Sequence, residues 1–170
     1  MRVNLKEVKS GELIEGIITK ANKSDLPLKQ DGWQFTWKRL GKTEGAEFYK
    51  LSTVEDPETV EGMLMLTLIN EEILYMNNIE VAPQNYGSEG KYDNVAGGLI
   101  AFGCYKSFEQ GKSYYLGYLS FESKTQLIEL YQNKYGATFV MGQKMFFDPG
   151  AGKQLMKKYL TIKLAENEEE

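Results

Sequence analysis

A chain of 170 residues, 42% apolar and 26% charged, has the composition of a globular protein and the length for one core. No apolar run approaches the ~20 residues that cross a bilayer, and Met1 to Ser10 lacks a signal-peptide core. The formal charge of -4 argues against a general nucleic-acid surface, and the absence of histidine removes Ser-His-Asp and Cys-His chemistry and every histidine-containing zinc site.

These exclusions leave one cytoplasmic domain over residues 1–164, no metal, no membrane contact and an acidic, solvated tail over 165–170. The lone thiol, Cys104, cannot form an internal disulfide.

In chain order, Arg2 to Val8 alternates as a short strand, Leu13 to Lys20 reads as a short helix, and Ser24 to Gly32 is a loop holding Pro27 and Gly32. Trp33 to Leu40 and Ala46 to Thr53 are aromatic or β-branched and are separated by Gly41 and Gly45, so they are expected as paired strands. Met63 to Ile69 is almost continuously apolar, and Ile73 to Ala82 follows the polar turn Asn70-Glu71-Glu72; together they predict a central hairpin. Pro83 to Asn94 is a Gly/Asn/Asp-rich loop. It delivers the chain into Val95 to Phe108, predicted as a largely buried helix.

Leu116 to Phe121 reads as another strand, and the aromatic stretch Tyr114 to Phe121 is assigned to the core and a cleft wall. Ser123 with Gln126 predicts a capping box, Leu127, Ile128 and Tyr131 share a helix face, and Gly136 stops that helix. Thr138 to Phe147 is a further strand, Asp148-Pro149 caps a last helix through Tyr159, and Thr161 to Leu164 adds a final strand. Cys104, among apolar helix residues, is expected to act as a small hydrophobe.

A glycine-rich loop entering a helix is physically an anion site, because leading N–H groups and the helix dipole point at whatever lies there. Ala96, Gly97 and Gly98 would let a ligand approach the backbone; tight packing would use the same residues. The order of motifs favours the ligand. Ile79-Glu80-Val81-Ala82-Pro83, followed by Lys91-Tyr92-Asp93-Asn94-Val95-Ala96-Gly97-Gly98, resembles the strand, pyrophosphate loop and helix with which the GNAT superfamily of acyl-CoA N-acyltransferases holds coenzyme A. Leu130-Tyr131-Gln132-Asn133-Lys134-Tyr135-Gly136-Ala137 is similar to that family's Leu-Tyr-x-x-x-Gly-Phe helix end, with Ala137 replacing the aromatic.

The likeness spans residues 61 to 147 and departs from the pattern in two ways: Asn94 stands at the loop's central glycine, and the connection from Pro83 is longer. Asparagine tolerates the left-handed backbone needed there. A register beginning at Gln84 with Gly87 is rejected, because it stops short of the helix.

The resemblance implies an α/β (α+β) fold with a mixed, mostly antiparallel sheet flanked by helices, and acetyl-CoA as cofactor. It implies direct attack of an unknown acceptor's primary amine on the thioester. Glu80 is the nominated base, Tyr131 the nominated proton donor to the leaving thiolate, and Val81 the nominated source of an N–H for the carbonyl oxygen. Lys91, Asp93, Asn94, Val95, Ala96, Gly97 and Gly98 would surround the cofactor. A homodimer is allowed, as is an inactive coenzyme A-binding or protein-interaction module. An unrelated α/β protein whose loop merely packs is a third reading.

Overall fold

The computed structural model describes residues 1–161; residues 162–164 of the expected last strand and the acidic stretch 165–170 lie outside them. Among the described residues nine strands form one sheet: β1 (Arg2–Glu7), β2 (Leu13–Lys20), β3 (Glu47–Thr53), β4 (Gly62–Ile69), β5 (Ile73–Val81), β6 (Tyr92–Asp93), β7 (Leu119–Glu122), β8 (Thr138–Met141) and β9 (Lys144–Phe147). Their order is β6-β1-β2-β3-β4-β5-β7-β9-β8. Every pairing is antiparallel except β5 with β7.

Four helices complete the described chain: α1 (Trp37–Leu40), α2 (Val95–Gln110), α3 (Ile128–Tyr135) and α4 (Pro149–Tyr159). The mixed, mostly antiparallel sheet with flanking helices is the expected architecture.

The sheet has a core on each face. On one side α2, which packs on α4, β4 and β5, buries Leu99 and Ile100 against Leu5, Leu51, Leu64, Leu66, Leu74 and Leu119. The other side carries a smaller core of Leu26, Trp33, Trp37, Phe48, Met63 and Met65. β4 is therefore apolar on both faces, which accounts for its nearly unbroken hydrophobic run. Asp148 caps α4 by accepting from the Ala151 N–H at 2.7 Å, with Pro149 in the first turn. Gly136 ends α3 in the left-handed region at φ 78°.

Several expectations are corrected. Leu13–Lys20 is β2, not a helix; Ile14, Ile17, Ile18 and Thr19 are β-branched, and Gly16 lies opposite Val3, where a Cβ would meet Val3 Cγ2 at 2.7 Å. Trp33 to Leu40 is not a strand but a loop and the single turn α1, because Trp33 and Trp37 fill the smaller core. Its aromatic richness reported burial rather than pairing. Thr138 to Phe147 is a hairpin of β8 and β9 turning at Gly142, φ 59°. Ser123 caps nothing: its hydroxyl donates to the Lys124 carbonyl at 2.8 Å, and a 3-10 turn over Thr125–Leu127 precedes α3.

Two close contacts tie the sheet to α2. A Cβ on Gly62 would meet Val95 Cγ1 at 2.7 Å and Leu99 Cδ1 at 2.8 Å. Gly62→Ala is thus expected to push the first turns of α2 off β4 and to cost about 1–3 kcal/mol. Urea denaturation checks this through a lower midpoint at unchanged slope.

Candidate active site

The site begins with one extra residue. In the β4–β5 ladder Met65 faces Asn78 while Leu66 faces Met76, so Asn77 is a β-bulge without a partner. Its side-chain carbonyl accepts from the Thr67 hydroxyl at 2.8 Å. Before the bulge Leu74 and Met76 face α2; after it Ile79 and Val81 do, opposite Leu64 and Gly62. The bulge therefore turns Glu80 onto the opposite face. It also bends β5 away from β7, whose parallel pairing covers only Leu74 to Met76 against Leu119 to Phe121.

Beyond that point the strands diverge around a cavity of about 260 Å³, with Asn78, Glu80 and Val81 on one wall and Phe121, Lys124 and Tyr131 on the other. The Ala82 N–H donates to the Glu61 carbonyl on the β4 side at 2.9 Å. By strand alternation the Val81 N–H points the other way, into the opening left by β7.

Glu80 is buried, and its carboxylate accepts four hydrogen bonds. Oε1 takes the Phe35 N–H at 3.0 Å and Trp37 Nε1 at 2.9 Å; Oε2 takes the Gln34 N–H at 2.6 Å and the Tyr86 hydroxyl at 3.1 Å. All four acceptor positions are filled. The carboxylate consequently ties the Gln34–Trp37 segment and Tyr86 to β5. Tyr131 packs beside Phe121, ring centroids 4.8 Å apart, and burial pushes its phenol above the usual tyrosine pKa.

A second cavity of about 150 Å³ shares Val81 with the first as a wall residue. It is lined by Asp93, the first turn of α2 from Asn94 to Gly97, and Lys134, Tyr135 and Tyr159. Asn94 adopts φ 75°, ψ 10°, so the asparagine at the glycine place closes the loop in the left-handed region. The first helical bond runs from the Gly98 N–H to the Asn94 carbonyl at 2.9 Å, leaving Val95, Ala96 and Gly97 N–H groups without intrahelical acceptors.

The long connection before this turn is pinched off. Lys91 N–H donates to the Gln84 carbonyl at 2.9 Å, and Asn85 accepts from the Tyr92 N–H at 2.9 Å. The buried Asn85 amide in turn donates to the Glu61 carbonyl and carboxylate, both at 3.2 Å.

The residues nominated from sequence thus divide. Glu80, Val81 and Tyr131 come together in the larger cavity, and Asp93, Asn94, Val95, Ala96 and Gly97 in the smaller one. Lys91 and Gly98 line neither. The Lys91 ammonium sits over the Tyr92 ring, 5.2 Å from its centroid, and a Cβ on Gly98 would point at Val3 and Leu51 in the core. Gly97 is small because α4 requires it: a Cβ there would lie 2.4 Å from the Tyr159 ring. The bulge at Asn77 and the contributions of Tyr86, Lys134 and Tyr159 were missed. An Asn-Asn pair within an apolar strand was the only sequence signal for the bulge.

This arrangement of splayed parallel strands, loop and helix N-terminus defines the class: the chain has the GNAT fold. Solved structures that it resembles include a GNAT family acetyltransferase from Elizabethkingia anophelis with acetyl-CoA bound, 19% identical over 74% of this chain and 78% of that one, TM-score 0.53. Mutant forms of the spermidine/spermine N-acetyltransferase SpeG from Vibrio cholerae are 13% identical over 82% and 98%, TM-score 0.56. The AtaT-AtaR complex bound to DNA is 14% identical over 82% and 99%, TM-score 0.60, so the fold does not by itself exclude nucleic acid. No family model matches the sequence, and neither does any curated protein. Among the described residues no helix is long and apolar enough to cross a membrane.

The Glu80 clamp makes a stability prediction. Glu80→Gln keeps the shape but turns one acceptor oxygen into a donor, leaving two of the four donors without a partner. Each unsatisfied group costs about 1–3 kcal/mol. A clear drop in melting temperature is expected, with a smaller one for Tyr86→Phe.

Proposed function

We propose that the protein transfers an acetyl group from acetyl-CoA to the primary amine of an acceptor. The observation that supports this best is that the two cavities share Val81 in their walls. A single ligand can rest its diphosphate on the α2 N-terminus and reach the splayed strands with its thioester. The free N–H groups of Val95, Ala96 and Gly97 suit the diphosphate, and Lys134 adds a positive charge at the same cavity. Asp93 can help only through its backbone, since its carboxylate would repel a diphosphate.

When bound, acetyl-CoA supplies the activated acyl group. The chain's own residues do the rest. In this reading the Val81 N–H, on the open side of β5, serves the thioester carbonyl oxygen, where negative charge develops as the amine nitrogen attacks. In the transfer a C–N bond would form as the C–S bond breaks, the amine proton would leave to water, and Tyr131 would give its proton to the departing thiolate and regain one from solvent. Burial keeps that phenol protonated, because its pKa is raised; the alkaline limb that it sets in a rate profile is displaced upward from the ordinary tyrosine value.

Glu80, the base nominated from sequence, is engaged by four donors. In this reading it positions the cleft wall, and deprotonation of the amine falls to water. The same observation favours a second reading, a coenzyme A-binding module without transfer.

Tyr131→Phe separates them. Turnover is measured as free thiol released with a panel of primary amines, and affinity as thermal stabilisation by acetyl-CoA, about 2.7 kcal/mol at 100 times the dissociation constant. The expected result is a loss of about 10²–10⁴-fold in kcat with affinity unchanged. Equal losses in both would remove Tyr131 as the donor. Stabilisation without turnover in the unmodified protein would leave the binding module, and no stabilisation at millimolar acetyl-CoA would contradict both.

A further inference from the structure

A third cavity, of about 350 Å³, lies against the cleft that holds Glu80 and Tyr131, on the face away from α2. Its walls are Phe35, Thr36, Arg39, Leu40, Thr43 and Asn78. Phe35 and Asn78 also line the cleft, so these two side chains form the sill between the two spaces. Asn78 stands beside the bulge on β5, on the Glu80 face. The far wall is α1, and its position is fixed indirectly: Glu80 holds the Gln34 and Phe35 amides and the Trp37 indole from which α1 starts.

The one charged side chain in these walls is a cation, Arg39. Its neighbours Lys38 and Lys42 line a separate cavity with Lys23, in a chain whose formal charge is -4. Lys38 is engaged, donating to the Lys23 carbonyl at 2.9 Å. Arg39 is exposed to the cavity, and the ion pairs within 4 Å among the described residues are Arg2 with Glu15, Lys50 with Asp25 and Lys106 with Glu109. Its planar fork is therefore available, and a fork of that geometry matches a carboxylate through two parallel hydrogen bonds. A simple cationic amine would meet repulsion at this wall.

We infer that the acceptor is an amino acid or similar amine bearing a carboxylate, whose carboxylate Arg39 holds in this side cavity while its amine crosses the Phe35–Asn78 sill toward the thioester. The inference rests on the acetyl-transfer reading and assigns its substrate class. Arg39 is a specificity residue here; it has no part in breaking or making bonds.

The test compares acetylation of the common amino acids with that of their primary amides, which differ by the loss of the negative charge. The protein is expected to use at least one acid about tenfold or more better than its amide in kcat/KM, about 1.4 kcal/mol. Arg39→Gln should erase that preference through KM for the acid, leaving stabilisation by acetyl-CoA as before. Arg39→Lys should restore it only in part, because the charge returns without the fork. Amides that serve as well as acids would overturn the inference, as would a preference that survives Arg39→Gln. A protein that is stabilised by acetyl-CoA but acetylates neither set would overturn it too. Absence of stabilisation by acetyl-CoA instead removes the underlying function, so the two failures are distinguishable.

Discussion

One unpaired residue in a strand governs the rest of this molecule. Asn77 adds a position to β5 that β4 does not match, and three consequences follow from that addition. The strand bends, so its parallel partner β7 stays with it for three residues and then departs. The alternation of faces is reset, so Ile79 and Val81 continue the α2 side while Glu80 turns to the other. A row of backbone groups on the β7 side of β5 is left facing open space. An ordinary ladder would have used those groups in sheet hydrogen bonds and left no cleft.

A splayed sheet has to be held open, and the chain does this with polar groups buried at its edges. Glu80 takes four donors from the segment that roofs the cleft and from Tyr86. On the neighbouring strand edge the buried Glu61 carboxylate accepts from the amides of Gln84 and Asn85, at 3.0 Å and 3.2 Å. A buried carboxylate is expensive unless its acceptor positions are filled, which is why both are surrounded by donors from loops. The loops are in turn fixed by the carboxylates. Regular secondary structure positions the floor of the cleft, and charge-assisted hydrogen bonds position its walls.

Much of this was legible in the sequence where burial and periodicity agree. The continuous apolar run of β4, the glycine-rich entry to α2, the Asp148-Pro149 start of α4 and the Gly136 stop of α3 each have a local cause, and the structure keeps them. Two of the failures share a cause, which is that the deciding contact lies elsewhere along the chain. Trp33 to Leu40 looked like a strand because nothing nearby reveals that its amides are accepted by a carboxylate more than forty residues away. Gly16 in β2 makes sense only beside Val3. The site was half legible: the loop and helix carry motif residues, but Gly97 is small for the sake of Tyr159 and Gly98 faces the core rather than the cavity, and the bulge has no motif at all. Cys104, read as a small hydrophobe, lies fully buried, and burial pushes its thiol pKa up to about 12.

In the proposed function the bulge-opened cleft and the α2 N-terminus serve as one groove for one nucleotide thioester. Backbone amide resonances titrated with coenzyme A test it directly. The largest shifts are expected together on Val81, Val95, Ala96 and Gly97, with small shifts in β1 and β2. Shifts confined to other surfaces, with those four amides unmoved at saturating ligand, would contradict it.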